Sequence, residues 1–323
     1  MDVGTFCAQS RVLIVAGKGG VGKTTMTAAL ARMASLTGRS VLIVELEGKS
    51  GITGAFGLGH DLGYEEIELQ ATRPPGQGGV RARRITPDDA LVEYLEDHGL
   101  RRVSKRLVSS GVVDVVSTAI PGIRDVLVLG KIKQLEREGV ADLIVVDAPA
   151  TGHAITFLTS ASGLVNAARG GPLRTQASDV VELLADPSRC RVLLVTLPED
   201  MPVSETIESA FTLEDKAGVQ LGPVIVNATD PVPKDLERSA QEVAAGLEVD
   251  ASLLAALEAA RRFRLERHAI SAAQIERLAR DLPLPQLLVP TVPAETIGVA
   301  ETDLLATALA SAIGQLVPEV PAT

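Results

Sequence analysis

The run GKGGVGKTT, from Gly17 to Thr25, lies between the apolar stretch RVLIVA and the helix-forming segment TAALARMASL. Gly17, Gly22, Lys23 and Thr24 satisfy the spacing G-x-x-x-x-G-K-[ST] in a strand–loop–helix context, which constrains the fold more than any other feature of the chain. In such a loop successive backbone N–H groups converge on phosphates, and the following helix turns its positive end toward them. Gly17, Gly19, Gly20, Val21, Gly22, Lys23, Thr24 and Thr25 are therefore the candidate phosphate-binding residues. Lys23 is expected to reach the β- and γ-phosphates of a nucleotide, and the Thr24 hydroxyl is expected to serve Mg2+.

The rest of the sequence repeats this rhythm. Apolar runs rich in β-branched residues at Arg11–Ala16, Val41–Val44, Leu143–Val146, Val192–Thr196, Val224–Val226 and Leu284–Val289 alternate with helix-period segments, the pattern of a parallel sheet covered on both faces. The fold class predicted is α/β, a P-loop NTPase fold with a parallel sheet flanked by helices, forming a single domain over residues 1–323. Within about 60–140 and 160–188 the pattern changes. A Gly/Pro/Arg-rich interruption, ATRPPGQGGVRARR, precedes the amphipathic segments PDDALVEYLEDHGLRRVSKRLV and RDVLVLGKIKQLERE, and these stretches read as an inserted helical lobe.

Composition excludes several functions. Cys7 and Cys190 are the only cysteines, which argues against a disulfide framework, an iron–sulfur cluster or a Cys-x-x-Cys zinc site within one chain. A net charge of −10 and an aromatic content of 2% disfavour nucleic-acid binding. The cluster Arg81–Arg84 with Arg101, Arg102, Lys105 and Arg106 is the one basic patch, and it reads as solvated surface. No apolar run reaches the roughly 18 residues that a membrane helix needs, and MDVGTFCAQSR has no signal-peptide pattern. The expectation is a cytoplasmic protein without stable membrane insertion.

The second lysine of the loop, Lys18, is not needed to hold a single nucleotide. The whole run GKGGVGKTT resembles the deviant Walker A motif of the family that includes MinD, ParA, the nitrogenase iron protein, the arsenite-pump ATPase ArsA and the tail-anchored-protein targeting ATPases. The resemblance implies that Lys18 crosses a dimer interface to the partner's ATP. The segment LIVVDAPATGHAITFL, Leu143–Leu158, places Asp147 at the end of an apolar strand, where a carboxylate can hold Mg2+ through water. Its APATGH run resembles switch II of the ArsA and tail-anchored-targeting branch. Further likenesses at TLPEDMPVSETIE, PGIRDVLVLGK and VNATDP extend the resemblance to bacterial anion-transporting ATPases of the ArsA type over most of Arg11–Gly298.

What the resemblance implies is an ATP- and Mg2+-dependent hydrolase that works as a homodimer or as a heterodimer with a paralogous ATPase, acting on an apolar client or a membrane-associated partner. It assigns Asn227 to the adenine base and sets Pro293 near the adenine-stacking loop. It also shows departures. The switch I Asp that orients water in the targeting branch falls on Glu47, with Glu45 as competitor, so turnover is expected to be slow or partner-dependent. A weakly hydrolysing, nucleotide-sensing subunit is the alternative. The thiolate cluster of arsenite sensing is missing, and no methionine lies in the predicted lobe. The C-terminal segment, which carries no Lys or Arg after Arg280, lacks the basic amphipathic helix of a membrane positioner.

Overall fold

The computed structural model describes residues 1–46, 51–71, 78–97, 122–230 and 234–316. After a short helix α1 (Val3–Ala8) come β1 (Val12–Gly17), α2 (Lys23–Ser35), β2 (Val41–Glu45), α3 (Ile52–Ala55), β3 (Ile67–Gln70), β4 (Val80–Arg84) and α4 (Pro87–Asp97). The chain continues through α5 (Ile123–Glu138), β5 (Leu143–Ala150), α6 (Thr151–Ala167), α7 (Pro172–Ala185), β6 (Cys190–Thr196), α8 (Asp200–Ala217) and β7 (Val224–Thr229). It ends with α9 (Ala240–Val243), α10 (Ala251–Asp281), β8 (Gln286–Pro290) and α11 (Val299–Gly314).

The strands form one sheet in the order β3-β4-β2-β5-β1-β6-β7-β8. All pairs are parallel except β3 with β4. Each of the six expected strands is present; four agree within two residues at both ends, while β5 runs four residues and β7 three residues beyond the expected end. Two more, β3 and β4, come from the stretch read as the start of the lobe. Val80–Arg84 does not read as a strand because three of its five residues are arginine, yet Val80 and Ala82 are fully buried. Here pairing with β2 and β3 on either side overrides composition.

Side chains alternate across the sheet. Leu13, Val15, Val41, Ile43, Leu143, Val145, Val80 and Ala82 pack toward α2 and α11. Val12, Ile14, Leu42, Val44, Ile144 and Val146 pack toward α5, α6, α7 and α8. The central strands are therefore buried on both faces, which is why they read as continuous apolar runs.

In α5 the apolar run Val126–Leu129 with Ile132 is buried in this second layer. The arginine cluster also differs from the solvated surface expected. Arg81 and Arg83 pair with Glu66, Arg84 pairs with Glu45, and Arg83 stacks over Tyr64 at 4.4 Å. Arg101, Arg102, Lys105 and Arg106 fall outside the described residues. No described helix is long and apolar enough to cross a membrane.

Candidate functional site

Parallel α/β sheets collect their ligands at the C-terminal ends of the strands, where loops and helix N-termini meet. The GKGGVGKTT loop sits at such an end, between β1 and α2. Gly17 closes β1 with φ +154°, and a Cβ there would meet the Val195 carbonyl oxygen at 2.3 Å, so β1 and β6 approach closely only because this residue is glycine. Gly22 is the N-cap of α2 at φ +93° and supplies no side-chain cap. The first-turn N–H groups of α2 are thus left for an anion. A Cβ on Gly20 would meet nothing within 4 Å, and Gly19 and Gly20 are exposed, so the rim of the loop is open to a ligand. Val21 is buried and anchors the loop in the core.

The side chains converge on this loop. Lys23 Nζ donates to the Lys18 carbonyl at 3.1 Å, curling back over the loop. Thr24 Oγ1 donates to Asp147 Oδ2 at 2.7 Å, and Thr27 Oγ1 lies 3.5 Å from Oδ1 of the same carboxylate. Asp147 is 7% exposed, so these hydroxyls address a buried carboxylate in β5, three residues before the strand ends. An alcohol and a carboxylate at this spacing form an oxygen-only donor pair, which fits a hard divalent cation such as Mg2+. Thr25, the next residue of the helix, is half-buried. Asn227 Nδ2 donates to the Val21 carbonyl at 2.9 Å, fixing the end of β7 against the loop. Ala228 follows in the left-handed region at φ +54°. Pro293 is exposed in the segment after β8, which joins β7 through the Thr291 amide and the Thr229 carbonyl.

Lys18 points along the rim, where Nζ meets Glu205 Oε1 of α8 at 2.5 Å; both side chains are 35% exposed. Glu205 lies within the TLPEDMPVSETIE segment, but its pairing with Lys18 has no local sequence signal, since 187 residues separate the two. Thr27 likewise carries no local sequence signal for its approach to Asp147, 120 residues away. Glu45 ends β2, is 1% exposed, and has Arg84 Nη2 at 3.6 Å. Glu47 lies outside the described residues. His153 is exposed at the start of α6. It lines a cleft of about 190 Å³ with Leu46, Pro87, Asp125 and Pro149, where the end of β2 meets α5. Burial there raises the Asp125 carboxyl above the ordinary aspartate range, with Arg124 and His153 opposing the shift.

Comparison with known proteins places the chain among ATPases. The pattern of the anion-transporting ATPase family matches residues 10–168. ATPase BagA of Mycobacterium tuberculosis is 38% identical over 258 residues, 76% of this chain and 74% of its own. A putative arsenical pump-driving ATPase of Halobacterium salinarum is 25% identical over 90% of this chain and 43% of its own. ATPase get3 of Schizosaccharomyces japonicus is 29% identical over 52% of each chain. With an eight-stranded, mostly parallel sheet and a glycine loop opening on an uncapped helix, the chain belongs to the ArsA-type anion-transporting ATPase family.

Proposed function

We propose that this chain is a Mg2+-dependent ATP hydrolase whose dimer closes around two nucleotides and passes their state to the helices beyond switch II. The carrying observation is the convergence of Lys23, Thr24 and Asp147 on one glycine loop at the N-terminus of α2. In this reading the loop amides and Lys23 bind and orient the phosphates, and Thr24 with Asp147 holds the cation. Mg2+, when bound, neutralises phosphate charge and lowers the barrier to displacement. Lys18 leaves Glu205 and serves the partner's nucleotide. Asn227 and the segment at Pro293 border the base.

Glu47 is the residue assigned to orienting the attacking water. Glu45 suits that role less, because its carboxylate is sealed at the strand end beside Arg84. A glutamate in place of an aspartate displaces the carboxylate by one methylene, and misplacement by about 1 Å can cost on the order of a hundredfold in rate, so slow or partner-stimulated turnover is part of the reading. The helices α4, α5 and α7 are the proposed lobe, and the cleft holding His153 and Asp125 is its contact with switch II. A client or a membrane-associated partner of apolar character is the proposed cargo, and the cytoplasm the proposed compartment.

Steady-state ATP turnover per protomer, measured across a range of protein concentrations, tests this. Specific activity that rises to a plateau supports a self-assembled dimer. Saturable ATP binding with no turnover at any concentration favours instead the nucleotide-sensing subunit that pairs with a paralogous chain.

A further inference from the structure

Three neighbouring strands carry, at one level beside the phosphate loop, a row of charged residues of which the loop itself engages only Asp147. Arg84, Glu45 and Asp147 stand at one register level across β4, β2 and β5. They continue the alternation of Ala82, Ile43 and Val145, so all three belong to the sheet face covered by α2. Glu45 is 1% exposed and Asp147 7%. The row therefore sets two buried carboxylates side by side, with a guanidinium beyond one and the Thr24 hydroxyl against the other.

Two neighbouring buried carboxylates disfavour each other's charge, and together they attract a divalent cation strongly. Arg84 cancels one of them. Its Nε and Nη2 make no hydrogen bond among the described residues, so its contact with Glu45 is a charge contact rather than a bidentate clamp. The guanidinium charge is delocalised over a planar group, which suits it to balancing a buried carboxylate.

We propose that Arg84 is a positioning residue of the nucleotide site. By neutralising Glu45 it leaves Asp147 as the carboxylate offered to the metal, so the cation is held firmly only when nucleotide phosphates complete its oxygen shell. The inference rests on the Mg2+-dependent ATPase reading and adds to it an order of events, in which the metal enters with the nucleotide and not ahead of it.

The test uses Mn2+ as an electron-paramagnetic-resonance probe on the purified full chain, with and without ADP. Wild type is expected to bind Mn2+ weakly alone and tightly with ADP. Arg84→Gln is expected to bind Mn2+ without nucleotide at least about tenfold more tightly than wild type, because two carboxylates then face the ion. The double variant Glu45→Gln/Arg84→Gln is expected to return to wild-type behaviour. A single variant within about threefold of wild type, or a double variant as tight as the single, overturns the proposal. Should Arg84→Gln not fold, Glu45→Gln alone decides, since the unbalanced guanidinium is expected to weaken Mn2+ binding in the ADP complex at least about threefold. No change there overturns the proposal as well. Wild-type protein that binds neither ADP nor ATP sinks the ATPase reading itself, an outcome separate from any comparison among variants.

Discussion

Lys18 Nζ lies 2.5 Å from Glu205 Oε1, so within one chain the extra lysine of the glycine loop is held against α8 and not aimed at its own phosphate cradle. Both side chains are about one-third exposed, and an ion pair of that kind is worth about 0.2–1 kcal/mol. Such a contact can retain a lysine in the monomer and release it without a large barrier.

Glu205→Gln should therefore favour ATP-driven assembly. Two released lysines at a few tenths to one kcal/mol each correspond to a dimer about two- to thirtyfold tighter, read by sedimentation with a non-hydrolysable ATP analogue. Assembly weakened instead would mean that Glu205 holds the partner's Lys18 across the interface. Lys18→Ala should lose the rise of specific activity with protein concentration while keeping ATP binding.

Asp147→Asn removes the charge that Thr24 and Thr27 address. Turnover should fall by about two orders of magnitude, the scale seen when a positioned charge-stabilising group is lost. ATP binding should change only a few-fold, because Lys23 and the loop amides remain. Isothermal titration beside steady-state kinetics separates the two, and equal loss in both would place Asp147 in ground-state binding.

Gly17→Ala meets the Val195 carbonyl oxygen at 2.3 Å in a left-handed conformation. Backbone cannot yield as a side chain can, so a loss of about 3 kcal/mol or more is expected in denaturant unfolding. Gly20→Ala, at φ +85° but with nothing within 4 Å of the new Cβ, should cost only the backbone strain, about 1–2 kcal/mol.

Asp125 makes a pH prediction. Burial raises its carboxyl pKa in the folded chain, so the fold binds that proton more tightly than the unfolded chain does. The stability it contributes is present below the unfolded aspartate value, near pH 4, and is lost as pH rises through the folded value. Asp125→Asn should then unfold at a higher temperature than wild type at pH 7, with the gain shrinking toward pH 4. A gain that does not depend on pH would assign it to packing.

Neither thiol should react in the native protein. Burial pushes Cys7 up to about 11 and Cys190 up to about 12, so the thiolate is scarce near neutral pH and shielded as well. A thiol-selective reagent at pH 8 should label both cysteines only as fast as the chain opens.

The sequence by itself determined the local elements of this protein. Strand identity in β1, β5 and β6 follows from continuous apolar runs, because strands buried on both faces need no polar alternation. The phosphate loop follows from glycine spacing, because its conformation depends on few neighbours. Thr24 and Asp147, 123 residues apart, could be nominated together because each sits at a position that its own motif defines. Tertiary structure alone decided what faces what across the strands. Arg81, Arg83 and Arg84 look like a solvated run, and only the pairing of β4 with β3 on one side and β2 on the other brings them to Glu66 and Glu45. Lys18 looks like a free loop cation, and only the docking of α8 supplies Glu205. Charge pairs of this kind leave no periodic trace, since they depend on strand register and helix placement set by the packing of the whole core.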